Sequence, residues 1–167
     1  MKDFSKFIDE SYLDSNYDPL YHNTTTYDFT DIIIDNKLKK TEFENSYNGK
    51  KIKMVSLTRK KDLDLNYYKP FLDIVVELDT NLLSRKYKII PYDFFIHSEK
   101  EFKAKSDILR KEPFEFEEII LNDIDNIMYY IISVNFLGTS ILDREIAKIL
   151  PLLKNNNKII YNNGKLY

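Results

Sequence analysis

A chain of 167 residues that is 43% hydrophobic and 31% charged has the length of one domain and enough apolar side chains for a packed core, which excludes wholesale disorder. A formal net charge of −2 and the absence of cysteine argue against a dedicated duplex-DNA binder, which needs excess Lys and Arg, and remove disulfides, thiolate zinc sites and cysteine nucleophiles. No stretch approaches the roughly 20 apolar residues that cross a bilayer, so a cytoplasmic protein without a membrane partner is expected.

Residues 1–18 place Phe4, Phe7 and Ile8 at helical spacing, which predicts a short N-terminal helical extension. Pro19 favours an extended entry into a brief strand over Leu20 to His22. Thr24, Thr25 and Thr26 are N-cap candidates for a helix over about 26–37, with Tyr27, Ile32, Ile33 or Ile34, and Leu38 on a loose apolar face. Residues 39–51 are charged and contain Asn48-Gly49, which predicts a loop. Ile52 to Thr58 alternates as a half-buried strand, and Tyr67, Tyr68 and Phe71 bracket Pro70 in an aromatic loop. Phe71 to Leu78, with Ile74, Val75 and Val76 contiguous, is the strongest strand and is predicted to be central.

Asp79-Thr80 can cap one helical turn, Tyr87 to Ile90 form a strand closed by Pro91, and residues 98–110 offer a weak helical face ended by Pro113. Phe114 to Leu121 is a strand with acidic side chains near its start. After Asn122 or Asp123, the positions Ile124, Ile127, Met128, Ile131 and Ile132 fall at i, i+3, i+4, i+7 and i+8, which predicts the clearest helix of the chain. Ser140 opens another, carried by Leu142, Ile146, Ile149 and Leu150 up to Pro151, and a terminal hairpin turns at Asn163-Gly164. The three glycines stand at 49, 138 and 164, which rules out a glycine-rich dinucleotide loop. Strands and helices mix without regular alternation, so the expected class is α+β with mostly antiparallel pairing in a single domain over 1–167.

Few residues carry chemistry. His22-Asn23-Thr24 fits one half of a two-histidine phosphoesterase signature, but His97-Ser98-Glu99 fails the other half. Neither histidine has ligands at metal spacing, so no metal is expected. Ser56 and Thr58 end one strand on the same side, and Glu115, Glu117 and Glu118 open another. A carboxylate on an apolar strand faces solvent or a cleft, and in a cleft its charge must stabilise something positive.

Taken in order, these pieces resemble the ADP-ribosyltransferase superfamily. Leu20-Tyr21-His22-Asn23-Thr24 is similar to the family's leading Leu-Tyr-His-Gly-Thr, Val55-Ser56-Leu57-Thr58 to its Ser-Thr-Ser strand, and Glu115-Phe116-Glu117-Glu118-Ile119-Ile120 to its Glu motif. The resemblance covers about residues 19–134, leaving 135–167 as a C-terminal helix and hairpin. Asn23 stands where the family has glycine, and Lys88-Ile89-Ile90-Pro91-Tyr92-Asp93 is similar to a segment of small phage and bacterial proteins. The resemblance implies mostly antiparallel split β-sheets with flanking helices around a cleft for NAD. It implies cofactor binding by His22, Thr24, Ser56 and Thr58, stacking by Tyr67 or Tyr68, and catalysis by Glu117 or Glu118. A one-residue slip of register decides which carboxylate faces the cleft.

The expected function is therefore an NAD-binding, ADP-ribosyltransferase-like protein that transfers ADP-ribose to a macromolecular target, with a protein target expected. The alternative is a non-enzymatic phage or bacterial interaction protein, such as an inhibitor of a host defence system or an immunity protein. Its support is the 14% aromatic content, rich in tyrosine, which suits interfaces.

Overall fold

The computed structural model describes residues 19–44, 49, 51–59, 73–91, 117–137, 143–157, 159–162 and 165–166. The expected N-terminal helix, the aromatic loop with Tyr67 and Tyr68, His97 and the helix over 98–110 lie outside them.

Among the described residues nine strands form the main sheet. Its middle is β5 (Ile74–Leu78), whose Ile74, Val75, Val76 and Leu78 are all buried, as a contiguous β-branched run requires of a strand covered on both faces. Antiparallel to it on one side runs β1 (Leu20–Thr24), from Leu20 opposite Leu78 to Thr24 opposite Ile74. On its other side runs β9 (Ile131–Phe136), from Ile131 opposite Leu78 to Phe136 opposite Ile74, with a bulge at Glu77/Leu78. Beyond β9 lies β10 (Ile159–Asn162), which pairs with it in parallel and turns back into β11 (Lys165–Leu166). β10 and β11 pair antiparallel, and the expected turn at Asn163-Gly164 between them lies outside the described residues.

On the free side of β1 stands β4 (Lys51–Thr58), joined to it by one register pair, Tyr21 opposite Thr58. Next come β7 (Glu117–Ile120), paired with β4 from Val55 opposite Ile120 to Thr58 opposite Glu117, and β6 (Ile90–Pro91). The sheet therefore has two halves that part beside β1, in agreement with the expected split, mostly antiparallel α+β fold.

Between β1 and the rest of the first half comes α1 (Thr26–Asp35), started by Thr25, whose side chain accepts from the Asp28 N–H at 3.1 Å. Both the N–H and the hydroxyl of Thr26 donate to Asp73 Oδ2, at 3.2 and 3.0 Å. These bonds fasten the start of α1 to the entrance of β5. The helix ends at Asn36 in the left-handed region, at φ 49°, where asparagine costs less than most residues. The Asn36 carboxamide oxygen accepts from the Met128 N–H at 3.0 Å and its backbone oxygen from the Ile127 N–H at 3.2 Å. A two-stranded ribbon of β2 (Lys37–Leu38) and β8 (Ile124–Asp125) continues this junction. The short α2 (Thr80–Ser84) is capped by Asp79, which accepts from the Leu82 N–H at 3.0 Å. Opposite α1 packs α4 (Asp143–Asn155), which buries Ile149 and Leu153. Among the described residues, no helix is long and apolar enough to cross a membrane.

Four expectations are corrected. Residues 124–132 are not a long helix: β8 is followed by Asn126 at φ 57°, the single turn α3 (Ile127–Tyr130), and then β9. The apolar spacing fits a helix, but a left-handed Asn126 interrupts it, and the β-branched Ile131, Ile132 and Val134 belong to a strand. Residues 39–51 are not all loop, because β3 (Thr41–Glu44) pairs with β4, with Lys51 Nζ 3.4 Å from Glu42 Oε1 and 3.8 Å from Glu44 Oε2. Cross-strand ion pairs let a charged segment serve as an edge strand. The strand before Pro91 spans only Ile90–Pro91. Pro151 lies inside α4 rather than ending its helix; the buried Ile149 and Leu153 on either side keep the backbone helical past the missing donor.

Candidate functional site

The site lies where β1 and β4 part. Antiparallel partners share a face, and successive residues alternate between faces. The register Tyr21–Thr58 and Thr58–Glu117 therefore puts Tyr21, Asn23, Ser56, Thr58 and Glu117 on one face. His22, Thr24, Val55, Leu57, Glu118 and Ile120 alternate to the other, where Val55, Leu57 and Ile120 join the main core.

The two acidic candidates thus point in opposite directions. Glu117 is buried, at 6% exposure, and accepts from the Ser56 hydroxyl at 2.6 Å. Glu118 is also buried and pairs with Arg59, Nε to Oε1 at 2.6 Å. Arg59 was not expected as a partner. It follows Thr58 and shares the alternation of Leu57, which stands opposite Glu118, so the pairing becomes visible once the register is known.

His22 approaches the same strand from β1. Its Nδ1 lies 3.2 Å from the Ser56 carbonyl oxygen, so the ring reaches across just past the last register pair between β1 and β4. A carbonyl can only accept, so Nδ1 carries the proton. Burial pushes the imidazole below its ordinary pKa of 6.5, opposed in smaller measure by the Ser56 bond and the charge of Asp28. The ring is neutral near pH 7, which leaves Nε2 as an acceptor.

Ser56 therefore touches both functional groups, its carbonyl meeting His22 and its hydroxyl meeting Glu117. Thr58 is buried directly opposite Glu117 on the same face. Thr24 is buried opposite Ile74, which places it on the core side of β1, away from the face of Glu117. Tyr67 and Tyr68 lie outside the described residues. Asn23 shares the face of Ser56, and its carboxamide oxygen is buried without a hydrogen-bond partner among the described residues. No sequence signal marks such an atom, since its lack of a partner arises only in the fold. Among the described residues no group of His, Asp and Glu could hold a metal ion.

The neutral His22 makes stability depend on pH. Its folded pKa lies below the unfolded value, so below about pH 6.5 the unfolded chain takes up a proton that the folded chain refuses. Stability contributed above pH 6.5 is then lost on acidification, by up to about 1.4 kcal/mol per pH unit until the folded ring itself protonates. Urea midpoints measured from pH 7.5 to 5 are expected to fall more steeply for the wild type than for His22→Asn. Parallel pH profiles would show that the ring is not held neutral.

No protein-family model and no curated protein matches the chain. Among solved structures it is similar to DarT of Thermus sp. 2.9 in complex with carba-NAD+, with a TM-score of 0.51 and 10% identity over 88% of this chain and 95% of that chain. It is likewise similar to that DarT in complex with NAD+, with a TM-score of 0.51 and 11% identity over 89% and 96% of the two chains. The chain thus shares the mixed, mostly antiparallel α+β fold of these DarT structures.

Proposed function

We propose that the chain binds NAD where β1 and β4 part and transfers ADP-ribose from it to a protein target in the cytoplasm. The observation that carries this reading is the placement of Ser56, which holds His22 through its carbonyl and Glu117 through its hydroxyl. The likeness to NAD-bound DarT supports it at the level of the fold.

The residues present fit the cofactor. The Glu117 carboxylate on one face and His22 Nε2 on the other side of the edge where β1 and β4 part both accept hydrogen bonds, so a ligand that spans this edge and presents hydroxyl and amide donors suits them. NAD has both, in its ribose hydroxyls and its carboxamide. It also supplies a glycosidic bond to nicotinamide whose cleavage, with the electron pair leaving on nicotinamide, develops positive charge at the ribose carbon.

Each side chain then has a role. His22 accepts a ribose hydroxyl at Nε2 and is kept in that tautomer by the Ser56 carbonyl. Glu117 binds a hydroxyl of the nicotinamide-side ribose and opposes the developing positive charge, with its carboxylate held in place by the Ser56 hydroxyl. Burial strengthens this attraction, because little water screens it. Thr58, opposite Glu117, helps keep that strand pair in register. The new bond to the ribose carbon comes from a nucleophile of the target, which loses its proton as the bond forms.

Titration calorimetry with NAD, followed by incubation with adenylate-labelled NAD in cell lysate, tests the reading. Saturable binding, release of nicotinamide and label that disappears on protease treatment are expected. Absence of NAD binding would overturn the proposal. Binding without label or nicotinamide release in any lysate would favour a non-enzymatic interaction protein.

A further inference from the structure

We infer that the chain forms a two-fold dimer through the surface where α3 stands between α1 and α2, each copy setting its acidic helix α1 against the basic end of α2 in the other.

Single exposed apolar residues are ordinary, but several gathered on one surface mark a contact site. Tyr27 and Ile34 are 59% and 57% exposed on α1, and Tyr129 is 62% exposed on α3. Residues 27, 31 and 34 of a helix fall at i, i+4 and i+7, so Tyr27, Asp31 and Ile34 form one outward stripe, away from the buried Phe29 and Ile33. Asp28 and Asp35 flank it, and both are exposed. Lys39 pairs with Asp35 at 2.6 Å, which sets three aspartates against one lysine. This half of the surface is apolar and acidic.

The other half is aromatic and basic. Where α2 ends, Arg85, Lys86 and Lys88 are exposed. Lys86 Nζ lies 5.1 Å from the centre of the Tyr87 ring, Tyr87 meets Tyr130 edge-on at 5.9 Å, and Tyr130 meets Tyr129 at 5.2 Å. The cation and the exposed ring therefore belong to one contiguous patch.

It is α3 that joins the halves. Its Met128 N–H donates to Asn36 at the end of α1, at 3.0 Å, while the Tyr130 carbonyl accepts from the N–H of Asp79, the cap of α2, at 2.8 Å. Packed against both helices, α3 places Tyr129 between the acidic stripe and the basic patch. Asp125, beside this junction, is already engaged by Lys37 at 3.1 Å. A surface divided in this way is complementary to itself. Rotation by 180° about Tyr129 lays the acidic half of one copy on the basic half of the other and brings the two Tyr129 rings together. The partner whose charges fit α1 is thus a second copy of this chain.

Sedimentation velocity up to about 100 µM, a range that reveals even weak dimers, tests the contact. A species of twice the 20.0 kDa chain mass is expected to grow with concentration and to weaken as salt screens the opposed charges. Asp31→Lys and Arg85→Asp should each weaken association at least about tenfold, because a reversal acts twice in a two-fold interface. An equimolar mixture of these two variants should regain wild-type association, since unlike charges then face each other at both ends of the contact. Tyr129→Ala should weaken association as well. All three residues are exposed, so melting temperatures of the dilute variants should stay near that of the wild type. A wild type that remains monomeric across the range would overturn the inference. So would a dimer that none of the variants weakens, or a mixture that associates no better than its components.

Discussion

Glu117→Gln is expected to slow nicotinamide release and ADP-ribose transfer about a hundredfold or more, corresponding to roughly 2.7 kcal/mol or more of lost transition-state stabilisation. The substitution keeps shape and hydrogen-bonding length and removes the charge, which isolates the electrostatic contribution. That contribution should be large because the carboxylate is buried at 6% exposure and fixed by the Ser56 hydroxyl at 2.6 Å, so it need not reorganise as charge develops. NAD affinity should change far less than the rate, since the positive charge it opposes grows only along the reaction. Glu118→Gln is the internal control. That carboxylate faces the core side of the sheet and pairs with Arg59, so its loss should lower stability and leave the rate per folded molecule near wild type. Rate measurements on both variants at saturating NAD decide the matter. A rate collapse in Glu118→Gln with Glu117→Gln near wild type would show that the active carboxylate had been assigned to the wrong face.

That assignment marks the boundary of what the sequence discloses. Strands β1, β4, β5 and β7 are legible because their apolar residues are contiguous or alternate, and α1 because Thr25 can cap it. The order of His22, Ser56 and the glutamates along the chain is legible as well. Which glutamate accompanies Ser56 is not, because neighbouring residues in a strand point oppositely and only the pairing of Thr58 with Glu117 fixes the phase. The same limit explains Ile124 to Ile132. Their spacing satisfies a helix, whereas the fold turns at Asn126 and uses Ile131 onward as a strand beside β5, so tertiary pairing overrides local periodicity. The charged β3 has little apolar signal of its own, and its strand character comes from the neighbour it pairs with. The Asn23 oxygen is the extreme case, since both the burial and the missing partner are products of long-range packing.

Phe29→Ala is expected to destabilise the protein by about 3–5 kcal/mol, the usual range for removing a fully buried phenylalanine. Phe29 is 0% exposed in the middle of α1 and meets the ring of Phe136 edge-on, with centroids 6.4 Å apart and planes at 79°. Truncation removes this aromatic contact and leaves a cavity between α1 and β9, in a region where the helix is tied at both ends, by Thr26 to Asp73 and by Asn36 to Met128. Those ties limit how far α1 can collapse into the space, which favours the upper part of the range. For a domain whose total stability is on the order of 5–15 kcal/mol, such a loss should move the urea midpoint strongly while the denaturant slope stays unchanged. Phe29→Leu, which refills most of the volume, should recover more than half of the loss. Below the new midpoint the folded fraction should still bind NAD, since the effect acts through packing and not through the groups of the cleft. A loss under about 1 kcal/mol would mean that α1 does not pack on the sheet as described, and that the helix following His22 and Asn23 cannot be what holds that end of β1 in place.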